Sequence, residues 1–402
     1  MVGALKVAVI GGGAAGFFAA LSAAKHHPSA HVVLFEKTAK LLSKVKISGG
    51  GRCNVTHACF SPATLAKHYP RGGKQLKKAF SAFQAADTVA WFESRGVKLK
   101  MEEDGRMFPT TDDSQTIVDC LTREAQRLGV DIRLQSPVRD LAPRPGGGLT
   151  LNDERFDRVF VATGGSPKLE GLQWLVDLGH TVSAPVPSLF TFNMPGSDIT
   201  DLMGVVVPDP LVRIQSTKLA QQGPVLITHW GMSGPAVLKL SAWGARELAA
   251  RGYQFSVQVN WIGIANEAEV TSAIDDAMPD IRKKKVANAC PFDLPKKFWA
   301  LLLARAEVPA DAVWLDLGKK AKNKLVNTLL NDVYEVRGKT TFKEEFVTCG
   351  GVVLGEVDFA TMQSRVVPGL YFAGEVLDVD GVTGGFNFQA AWTTGFVAGR
   401  LQ

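Results

Sequence analysis

The sequence predicts an α/β fold in which a Rossmann-like domain is interrupted by an inserted domain. The first indication is an apolar run, Leu5–Ile10, that leads into a G-x-G-x-x-G motif at Gly11–Gly16 and then into a helical stretch. The second is a buried-strand pattern, Pro368–Glu375, that ends in glycine and a carboxylate near the other end of the chain. The third is a change of sequence pattern from about Pro185 to Thr348, where the strand-glycine-helix pattern of the nucleotide domain is absent. Both ends of the chain are therefore expected to build one domain.

The individual elements follow from the spacing of apolar residues and from glycine and proline stops. Pro28 ends the first predicted helix, and Gly96 and Gly129 end the next two. The predicted helices are Ala14–His27, Gln75–Arg95, Ser114–Leu128, Lys296–Ala306 and Lys319–Val333. The predicted strands of the parallel sheet are Leu5–Ile10, His31–Glu36, Arg158–Val161 and Pro368–Glu375.

The predicted domain boundaries follow from the same change of sequence pattern. Proline-punctuated, β-prone pieces run from Pro185 to Trp261, and helical stretches follow them. The prediction is a discontinuous nucleotide domain at 1–187 and 346–402, an inserted β-rich domain at 188–264 and 334–345, and a helical subdomain at 265–333.

Composition indicates a folded protein in a reducing compartment. The chain has 402 residues, of which 46% are hydrophobic, so it can bury a full core. No apolar stretch reaches the roughly 20 residues that span a bilayer, and the first strand leads directly into glycines. These features predict a cytoplasmic protein without membrane association, with a mature organellar protein as the alternative. Five cysteines without a CxxC pair predict neither a disulfide framework nor a metal site.

The two glycine-rich ends together indicate FAD. The glycines of the N-terminal motif permit a tight turn, the approach of a pyrophosphate and close packing of helix on strand. Glu36 ends the second strand, where a carboxylate can accept both hydroxyls of the adenosine ribose. A flavin must be held by elements from another part of the sheet, and Gly374-Glu375 with a helix beginning near Gly385 is expected to do so.

A third glycine-rich segment, Lys46–Thr56, is expected to wrap the ribityl chain and the flavin ring. Gly49, Gly50 and Gly51 can bring backbone close to a flat or anionic group, and polar neighbours supply hydrogen-bond donors. A surface loop that needs glycine only for its turn is the alternative.

Four motifs in this order resemble the BaiN/YhiN-type flavoprotein family. They are Gly11–Gly16, Ser48–Asn54, Thr228–Leu238 and Gly374–Gln389. Members of that family are assigned as aminoacetone oxidase, as reductases of conjugated steroid double bonds and as a dihydrouridine synthase acting on large-subunit ribosomal RNA. The resemblance implies an FAD-binding, Rossmann-like domain interrupted by a β-rich, barrel-like domain that carries a small helical subdomain.

The motifs and the resemblance together predict the site residues. Cys53, His229 and Arg52 are predicted to be catalytic, although Cys53 could instead be a packed residue and His229 a structural histidine. The predicted cofactor-binding residues are Gly11, Gly13, Ala14, Ala15, Gly16, Glu36, Lys37, Lys46, Ser48, Gly49, Gly50, Gly51, Arg52, Cys53, Asn54, Val138, Thr163, Gly164, Gly165, Gly374, Glu375, Asp380, Gly384, Gly385, Phe386, Asn387 and Phe388.

Basic clusters in the inserted region predict contacts with RNA phosphates, and a solvated helix face is the alternative for each cluster. The chain as a whole carries 45 Lys and Arg against 39 Asp and Glu, a net charge of +6. The predicted contacts are Arg282, Lys283, Lys284, Lys285, Lys296, Lys297, Lys319, Lys320, Lys322 and Lys324.

The predicted activity is an FAD-dependent reduction of an activated C=C bond with electrons from NADH or NADPH. The lysine-rich insertion favours uridine C5=C6 in ribosomal RNA as the substrate, because a small neutral substrate does not call for such helices. An aminoacetone-type amine oxidase that forms hydrogen peroxide is the alternative. No second G-x-G-x-x-G motif occurs, so a nicotinamide donor is expected to bind only transiently.

Overall fold

The computed structural model of the protein describes residues 4–341 and 347–401. The chain divides into two compact units, Met1–Ser188 with Lys343–Gln402, and Leu189–Phe342. The first unit is therefore built from both ends of the chain. The predicted three-part division, with a separate helical subdomain at 265–333, stays a prediction.

The described residues form the following helices and strands. The helices are α1 Ala14–His26, α2 Ser43–Ile47, α3 Pro62–Leu65, α4 Gly73–Phe80, α5 Ala85–Glu93, α6 Gln115–Arg127, α7 Gln173–Asp177, α8 Pro235–Trp243, α9 Ala245–Ala250, α10 Glu267–Ile281, α11 Lys296–Arg305, α12 Lys319–Asn331 and α13 Phe386–Gly399. The strands are β1 Lys6–Ile10, β2 His31–Phe35, β3 Thr56–His57, β4 Leu99–Met101, β5 Arg106–Pro109, β6 Asp131–Arg133, β7 Leu141–Pro143, β8 Leu149–Leu151, β9 Glu154–Phe156, β10 Arg158–Val161, β11 Val182–Ser188, β12 Thr191–Asn193, β13 Val206–Val207, β14 Leu211–Ile214, β15 Ala220–Gln222, β16 Val225–Thr228, β17 Gly231–Ser233, β18 Gln254–Asn260, β19 Asp332–Arg337, β20 Lys339–Thr340, β21 Val347–Val352, β22 Val357–Asp358, β23 Gln363–Ser364 and β24 Leu370–Phe372. None of the described helices is both long and apolar enough to cross a membrane.

A seven-stranded sheet forms the centre of the first unit. Its strand order is β22-β23-β24-β10-β1-β2-β6, and the strands from β24 to β6 are parallel. Within it, Val9 of β1 lies between Phe160 and Leu34, and Val161 of β10 lies opposite Phe372 of β24. The predicted α/β, Rossmann-like fold is confirmed. The carboxyl ends of its parallel strands meet at one edge, where such sheets bind ligands.

Helices α1 and α13 run in the same direction and pack closely. A Cβ at Gly395 would lie 2.5 Å from the carbonyl oxygen of Ala15, and one at Gly399 would lie 2.5 Å from that of Ala19. This pairing offsets the helices by about six to eight residues, so α13 begins roughly 10 Å beyond the start of α1. The two helix N-termini are therefore separated by roughly 10 Å along the common direction of the helices.

The prediction of a single helix at Gln75–Arg95 is wrong. The segment forms two helices, α4 and α5, because Gln84 between them adopts extended dihedrals, φ −124° and ψ −169°. The Asp87 carboxylate accepts a hydrogen bond from the Gln84 backbone N–H at 2.8 Å, which starts the second helix. The predicted helices at Ala14–His27 and Ser114–Leu128 are confirmed as α1 and α6.

The described residues of the second unit form two antiparallel sheets and five helices. The strand orders are β13-β16-β17-β12-β20 and β15-β14-β18-β19. One hydrophobic core, which includes the fully buried Phe192, Trp261 and Trp299, joins both sheets to helices α8 to α12. Helices α11 and α12 were predicted, whereas α8 and α9 lie in the stretch that the sequence pattern presented as β-prone.

Candidate active site

The turn between β1 and α1 forms one end of the candidate site. A Cβ at Gly16 would lie 1.9 Å from the Gly11 carbonyl oxygen, so only glycine lets the helix approach the strand. A Cβ at Gly13 would meet no atom within 4 Å, and no side chain caps the α1 N-terminus. Ala14 and Ala15 follow in the first turn. Free N–H groups beside open space are suited to a phosphate group.

Glu36 is fixed beside this turn by three hydrogen bonds. Its carboxylate accepts from the backbone N–H groups of Gly12 at 2.9 Å and Thr38 at 2.8 Å, and from the Thr38 hydroxyl at 2.9 Å. The exposed Lys37 and the half-buried Val138 belong to the same corner, where residues 135 and 136 bond to the backbone of Thr38 and Glu36. The corner presents a preorganised carboxylate at the end of β2.

The glycine-rich loop after α2 is held by the start of α6. Gly49, Gly50 and Gly51 all adopt left-handed dihedrals, with φ of +58°, +68° and +84°. The Ser114 hydroxyl donates to the Lys46 carbonyl at 2.6 Å, and its backbone N–H donates to that of Gly51 at 2.8 Å. A Cβ at Gly50 or Gly51 would meet no atom within 4 Å, so this backbone is open to a ligand.

Arg52 joins this loop to the β4–β5 hairpin. Its guanidinium lies 4.0 Å from the centre of the Phe108 ring, donates to Glu102 at 2.6 Å and lies 3.6 Å from Asp112. Hydrogen bonding to Glu102 raises the pKa of Arg52. The guanidinium charge is thus balanced by two carboxylates within the protein, and its predicted catalytic role stays a prediction.

Cys53 is fully buried at a left-handed position, φ +60°. Burial raises the pKa of its thiol to about 12. The thiol is therefore protonated at neutral pH, as a proton donor must be, but it has no exposed surface in this conformation. Its predicted catalytic role stays a prediction as well.

The C-terminal strand brings a second carboxylate to the same edge of the sheet. Glu375 accepts hydrogen bonds from the Thr348 backbone N–H at 2.7 Å and from the Lys44 ammonium at 2.8 Å. A Cβ at Gly374 would lie 2.7 Å from that of Ala15, so this strand end touches the first turn of α1. The sequence motifs did not identify Lys44 or Thr348, because neither belongs to a glycine-rich run.

The loop after β10 completes this part of the edge. A Cβ at Gly165 would lie 3.0 Å from a Glu375 carboxylate oxygen and 2.6 Å from the Thr348 hydroxyl, whereas one at Gly164 would meet nothing within 4 Å. Thr163 before them is exposed. The buried Thr348 hydroxyl has no hydrogen-bond partner among the described residues. Open backbone and a buried polar atom thus lie beside the second carboxylate.

The start of α13 forms the far end of the site. Asn54, with its amide oriented to satisfy both groups, donates to the Thr56 carbonyl at 2.9 Å and accepts from the Gly385 N–H at 3.0 Å. A Cβ at Gly385 would lie 2.7 Å from that Thr56 carbonyl oxygen, which excludes other residues there. Phe386 then stacks on the rings of both His57 and His68, with centroid distances of 4.7 Å and 4.2 Å.

Buried polar contacts support this helix start. The Gln389 side-chain oxygen accepts from the hydroxyls of Thr56 at 2.6 Å and Thr88 at 2.9 Å. Asn387 is bonded through both amide atoms to the backbone of Gly381, and Phe388 stacks on Trp392 at 5.6 Å. These contacts hold the first turns of α13 in place and so position the turn at Gly384 and Gly385 that precedes them.

Asp380 supports the same turn from inside the protein. It is fully buried, and its carboxylate is bound by the Arg71 guanidinium and by the Ser188 hydroxyl at 2.8 Å. Burial raises the pKa of the Asp380 carboxyl, and the ion pair with Arg71 opposes that effect. A direct contact between Asp380 and a cofactor stays a prediction.

The arrangement fits an extended dinucleotide. A Cβ at Gly13, Gly50 or Gly164 would meet no atom within 4 Å, and a carboxylate lies beside two of these open positions: Glu36 accepts from Gly12, and Glu375 lies beside Gly165. The N-terminus of α13 lies roughly 10 Å beyond that of α1, as an extended ligand with a phosphate at one helix and a ring system at the next requires. The residues present are therefore suited to hold FAD.

Comparison with known proteins identifies the family. The family described as HI0933-like protein Rossmann domain matches residues 5–401. The chain belongs to the HI0933-like family. This confirms the resemblance inferred from its motifs and assigns the protein to the FAD-dependent oxidoreductases.

Three curated relatives are similar over nearly their whole length. A 3-dehydro-bile acid delta(4,6)-reductase of Clostridium scindens is 28% identical, with 98% of each chain covered. Ribosomal RNA dihydrouridine synthases of Escherichia coli and Haemophilus influenzae are 29% and 30% identical, over 98% and 96% of this chain and 96% of each relative. The 3-ketosteroid delta1-dehydrogenase of Sterolibacterium denitrificans shares the fold, with 12% identity, 99% of each chain covered and a TM-score of 0.50.

In this HI0933-like protein, the predicted catalytic His229 lies in the second unit. It occupies the exposed turn between β16 and β17. Its ring lies 4.5 Å from that of Trp230, at a tilt of 45°. The histidine is available to solvent, so its predicted role in binding or protonating a substrate is compatible with its exposure.

Three basic segments of the second unit converge. Lys285 forms an isolated antiparallel bridge with Val313, shortly before α12 begins. The Trp299 indole N–H donates to the Val286 carbonyl at 2.8 Å, which ties the first turn of α11 to the same place. We call the eight exposed cationic side chains of these three segments the basic surface: Arg282, Lys283, Lys284, Lys285, Lys296, Lys297, Lys319 and Lys320.

Lys322 and Lys324 differ from the basic surface although they were predicted with it. Both are half-buried, and they form ion pairs with Asp275 at 2.5 Å and Glu307 at 2.6 Å. Hydrogen bonding to Lys324 lowers the pKa of Glu307. These two lysines are partly neutralised within the protein.

Proposed function

We propose that this protein is an NADH- or NADPH-driven reductase of an activated C=C bond. The best candidate for the bond is uridine C5=C6 in 23S-type ribosomal RNA, with dihydrouridine as the product. Such a substrate would place the protein in the cytoplasm. The basic surface is the observation that carries the choice of RNA, because eight exposed cations on neighbouring segments are suited to phosphate groups.

The names of the relatives support the same proposal. Two relatives are named ribosomal RNA dihydrouridine synthase, and each matches the chain over nearly its full length. A third is named a bile acid reductase, so a C=C bond in a steroid is the competing substrate within the same reaction class. A bile acid carries a single carboxylate, whereas RNA offers a phosphate at every nucleotide, so eight exposed cations favour RNA.

The chain offers a distinct task for each part of the candidate site. Glu36 is suited to bind the ribose hydroxyls, and the N-terminus of α1 the pyrophosphate. Glu375 is suited to bind the ribityl hydroxyls, and the positive end of α13 to stabilise negative charge on the ring system. When bound, FAD supplies a hydride carrier between the nicotinamide donor and the C=C bond.

After hydride reaches one carbon of the C=C bond, the other carbon needs a proton, which comes from a side chain of this protein or from water. His229 is exposed, while Cys53 is protonated but fully buried. Among the predicted catalytic residues, His229 is therefore the favoured proton donor, and movement of the glycine-rich loop is a condition for any role of Cys53.

The decisive experiment is a deletion of the gene followed by a survey of ribosomal RNA for dihydrouridine. Loss of one dihydrouridine, restored by a plasmid copy, is the expected result. An unchanged survey would exclude the proposed substrate. The purified protein separates the alternatives: a reductase bleaches with NADH or NADPH, whereas an amine oxidase forms hydrogen peroxide from aminoacetone.

A further inference from the structure

The segment between β2 and α5 holds a large excess of positive charge. Residues 37–86 contain ten Lys and Arg and no Asp or Glu, a net charge of +10, whereas the whole chain carries +6. The rest of the chain is therefore net negative. This segment belongs to the first unit, which also carries the candidate FAD site. Positive charge concentrated in this way attracts an anionic partner.

Half of these ten cations are ion-paired within the protein. The paired residues are Lys44, Lys46, Arg52, Arg71 and Lys78, and their partners are Glu375, Asp113, Glu102, Asp380 and Asp358. Two more, Lys37 and Lys40, are exposed after the end of β2. The remaining three, Lys67, Lys74 and Lys77, are also exposed, and none of them forms an ion pair with a described residue. We call these three the lysine cluster.

Helix geometry and one close backbone contact make the three lysines neighbours on the surface. Lys74 and Lys77 are three residues apart in α4, so they lie on the same face of that helix. A Cβ at Gly73 would lie 2.3 Å from the Ala66 carbonyl oxygen, so the start of α4 packs against the residue before Lys67. The lysine cluster therefore presents three adjacent charges that no carboxylate of the described residues neutralises.

The residues that follow Lys67 hold the start of α13. The His68 carbonyl accepts from the Val382 N–H at 2.9 Å, and the His68 ring stacks on that of Phe386 at 4.2 Å. The Tyr69 hydroxyl donates to the Phe386 carbonyl at 2.6 Å. The N-terminus of α13 is the part of the candidate site that is suited to the flavin ring. The lysine cluster therefore adjoins the ring end of that site.

We propose that the lysine cluster binds RNA phosphates next to the uridine that is reduced. This inference rests on the proposed function, and it adds an RNA contact in the unit that carries the candidate FAD site. A base can reach the ring end only together with its own backbone, so the phosphates on either side of the uridine must lie near that end. Exposed ammonium groups attract these phosphates without reading the base sequence.

The test measures the affinity of the full-length, FAD-loaded protein for a labelled, single-stranded RNA that contains uridine. Fluorescence anisotropy at salt concentrations between about 50 and 200 mM gives the slope of log affinity against log salt. Replacing Lys67, Lys74 and Lys77 together by alanine should lower that slope by about 2, because each phosphate contact contributes about 0.7. Over this range the wild type should therefore lose roughly 20-fold more affinity than the variant loses. Alanine favours the helix, and thermal unfolding verifies that the variant is folded.

A matched variant removes the same charge from other parts of the same unit. Lys25, Arg139 and Arg155 are exposed cations that form no ion pair with a described residue, and replacing all three by alanine should change the slope much less. Replacing the lysine cluster by three arginines keeps the charge and should preserve most of the slope. Equal slope changes in the two alanine variants would overturn the proposal, because the net charge of the unit would then explain both.

The phosphates of a nicotinamide donor are the competing ligand for these lysines. Small ligands bind in concave sites, whereas Lys74 and Lys77 lie on the exposed face of a helix, which favours RNA. The rate at which NADH or NADPH bleaches the flavin should therefore be the same in the wild type and in the alanine variant of the lysine cluster. A variant that needs more donor but binds RNA normally would contradict the proposal.

The proposed function fails in a different way. In that case the wild type itself would bind no RNA, and gene deletion would leave ribosomal dihydrouridine unchanged. A failure of the lysine cluster alone leaves the deletion result intact.

Discussion

At the scale of single residues, the polar side chains of the glycine-rich loop are largely used within the protein. Ser48 donates to the Val45 carbonyl at 2.9 Å, Arg52 is ion-paired, and Asn54 bonds to the start of α13. What remains open to a ligand is the backbone of Gly50 and Gly51. The side chains therefore position the loop, and its N–H groups are the parts best placed to bind.

The buried thiol of Cys53 should make stability depend on alkaline pH. Its pKa is raised from 9.0 to about 12, so between these values the unfolded chain loses a proton that the folded chain retains. The free energy of unfolding should be independent of this thiol below pH 9 and should fall as pH rises above it. At pH 10.5 the expected loss is about 2 kcal/mol, since one pKa unit corresponds to about 1.4 kcal/mol.

Urea unfolding of the wild type and of Cys53→Ala at pH 8 and pH 10.5 measures this effect. The alanine variant removes only this ionisation, so the difference between the two pH-dependent losses isolates Cys53 from the other groups. Identical pH dependence in both proteins would contradict the burial of the thiol.

At the scale of elements, the contact between α1 and α13 determines where the two helix N-termini lie. Gly395→Ala should lower the free energy of unfolding by about 1–3 kcal/mol, because the new methyl group would lie 2.5 Å from the Ala15 carbonyl oxygen. It should also weaken flavin retention, since separation of the helices moves the start of α13. Thermal unfolding and the flavin absorbance of the purified protein measure the two effects.

Gly355→Ala is the matched control for this change. A Cβ at Gly355 would meet no atom within 4 Å, and the residue lies in the same unit. Its stability and flavin content should match those of the wild type. Equal behaviour of the two alanine variants would show that the helices tolerate separation.

The sequence predicted elements that local patterns determine and missed those that tertiary contacts determine. Strands β1, β2 and β10 and helix α1 carry continuous apolar runs and a glycine motif, so they were predictable. The break at Gln84 was not, because apolar spacing continues across it and the Asp87 cap is a weak signal. Glu375 is bound by Lys44 and Thr348, which lie far from it in the chain. No local sequence pattern reports such contacts.

The basic clusters illustrate the same limit. The sequence alone predicted the same role, contact with RNA phosphates, for ten cations, since charge runs are visible without a structure. The structure separates eight exposed cations from two that are ion-paired, Lys322 with Asp275 and Lys324 with Glu307. Pairing across the fold therefore decides which charges remain available.

At the scale of the whole molecule, the candidate cofactor-binding residues and the basic surface belong to different units of the chain. The first unit carries both carboxylates and both helix N-termini of the candidate site, and the second carries the basic surface. Changes in the second unit should therefore alter RNA affinity without altering flavin content. This separation makes the electrostatic part of RNA binding measurable by itself.

The salt dependence of RNA binding should distinguish the exposed lysines of α12 from the paired ones. For single-stranded RNA each phosphate contact contributes about 0.7 to the slope of log affinity against log salt, so replacing both Lys319 and Lys320 by alanine should lower the slope by about 1.4. Replacing both Lys322 and Lys324 removes the same charge from the same helix, but Asp275 and Glu307 already neutralise these groups, so the slope should change less. Lys218→Ala, on an exposed turn of the same unit, controls for the loss of one cation elsewhere. Equal slope changes in both double variants would mean that RNA responds only to the net charge of the helix, and the basic surface would then have no defined contacts.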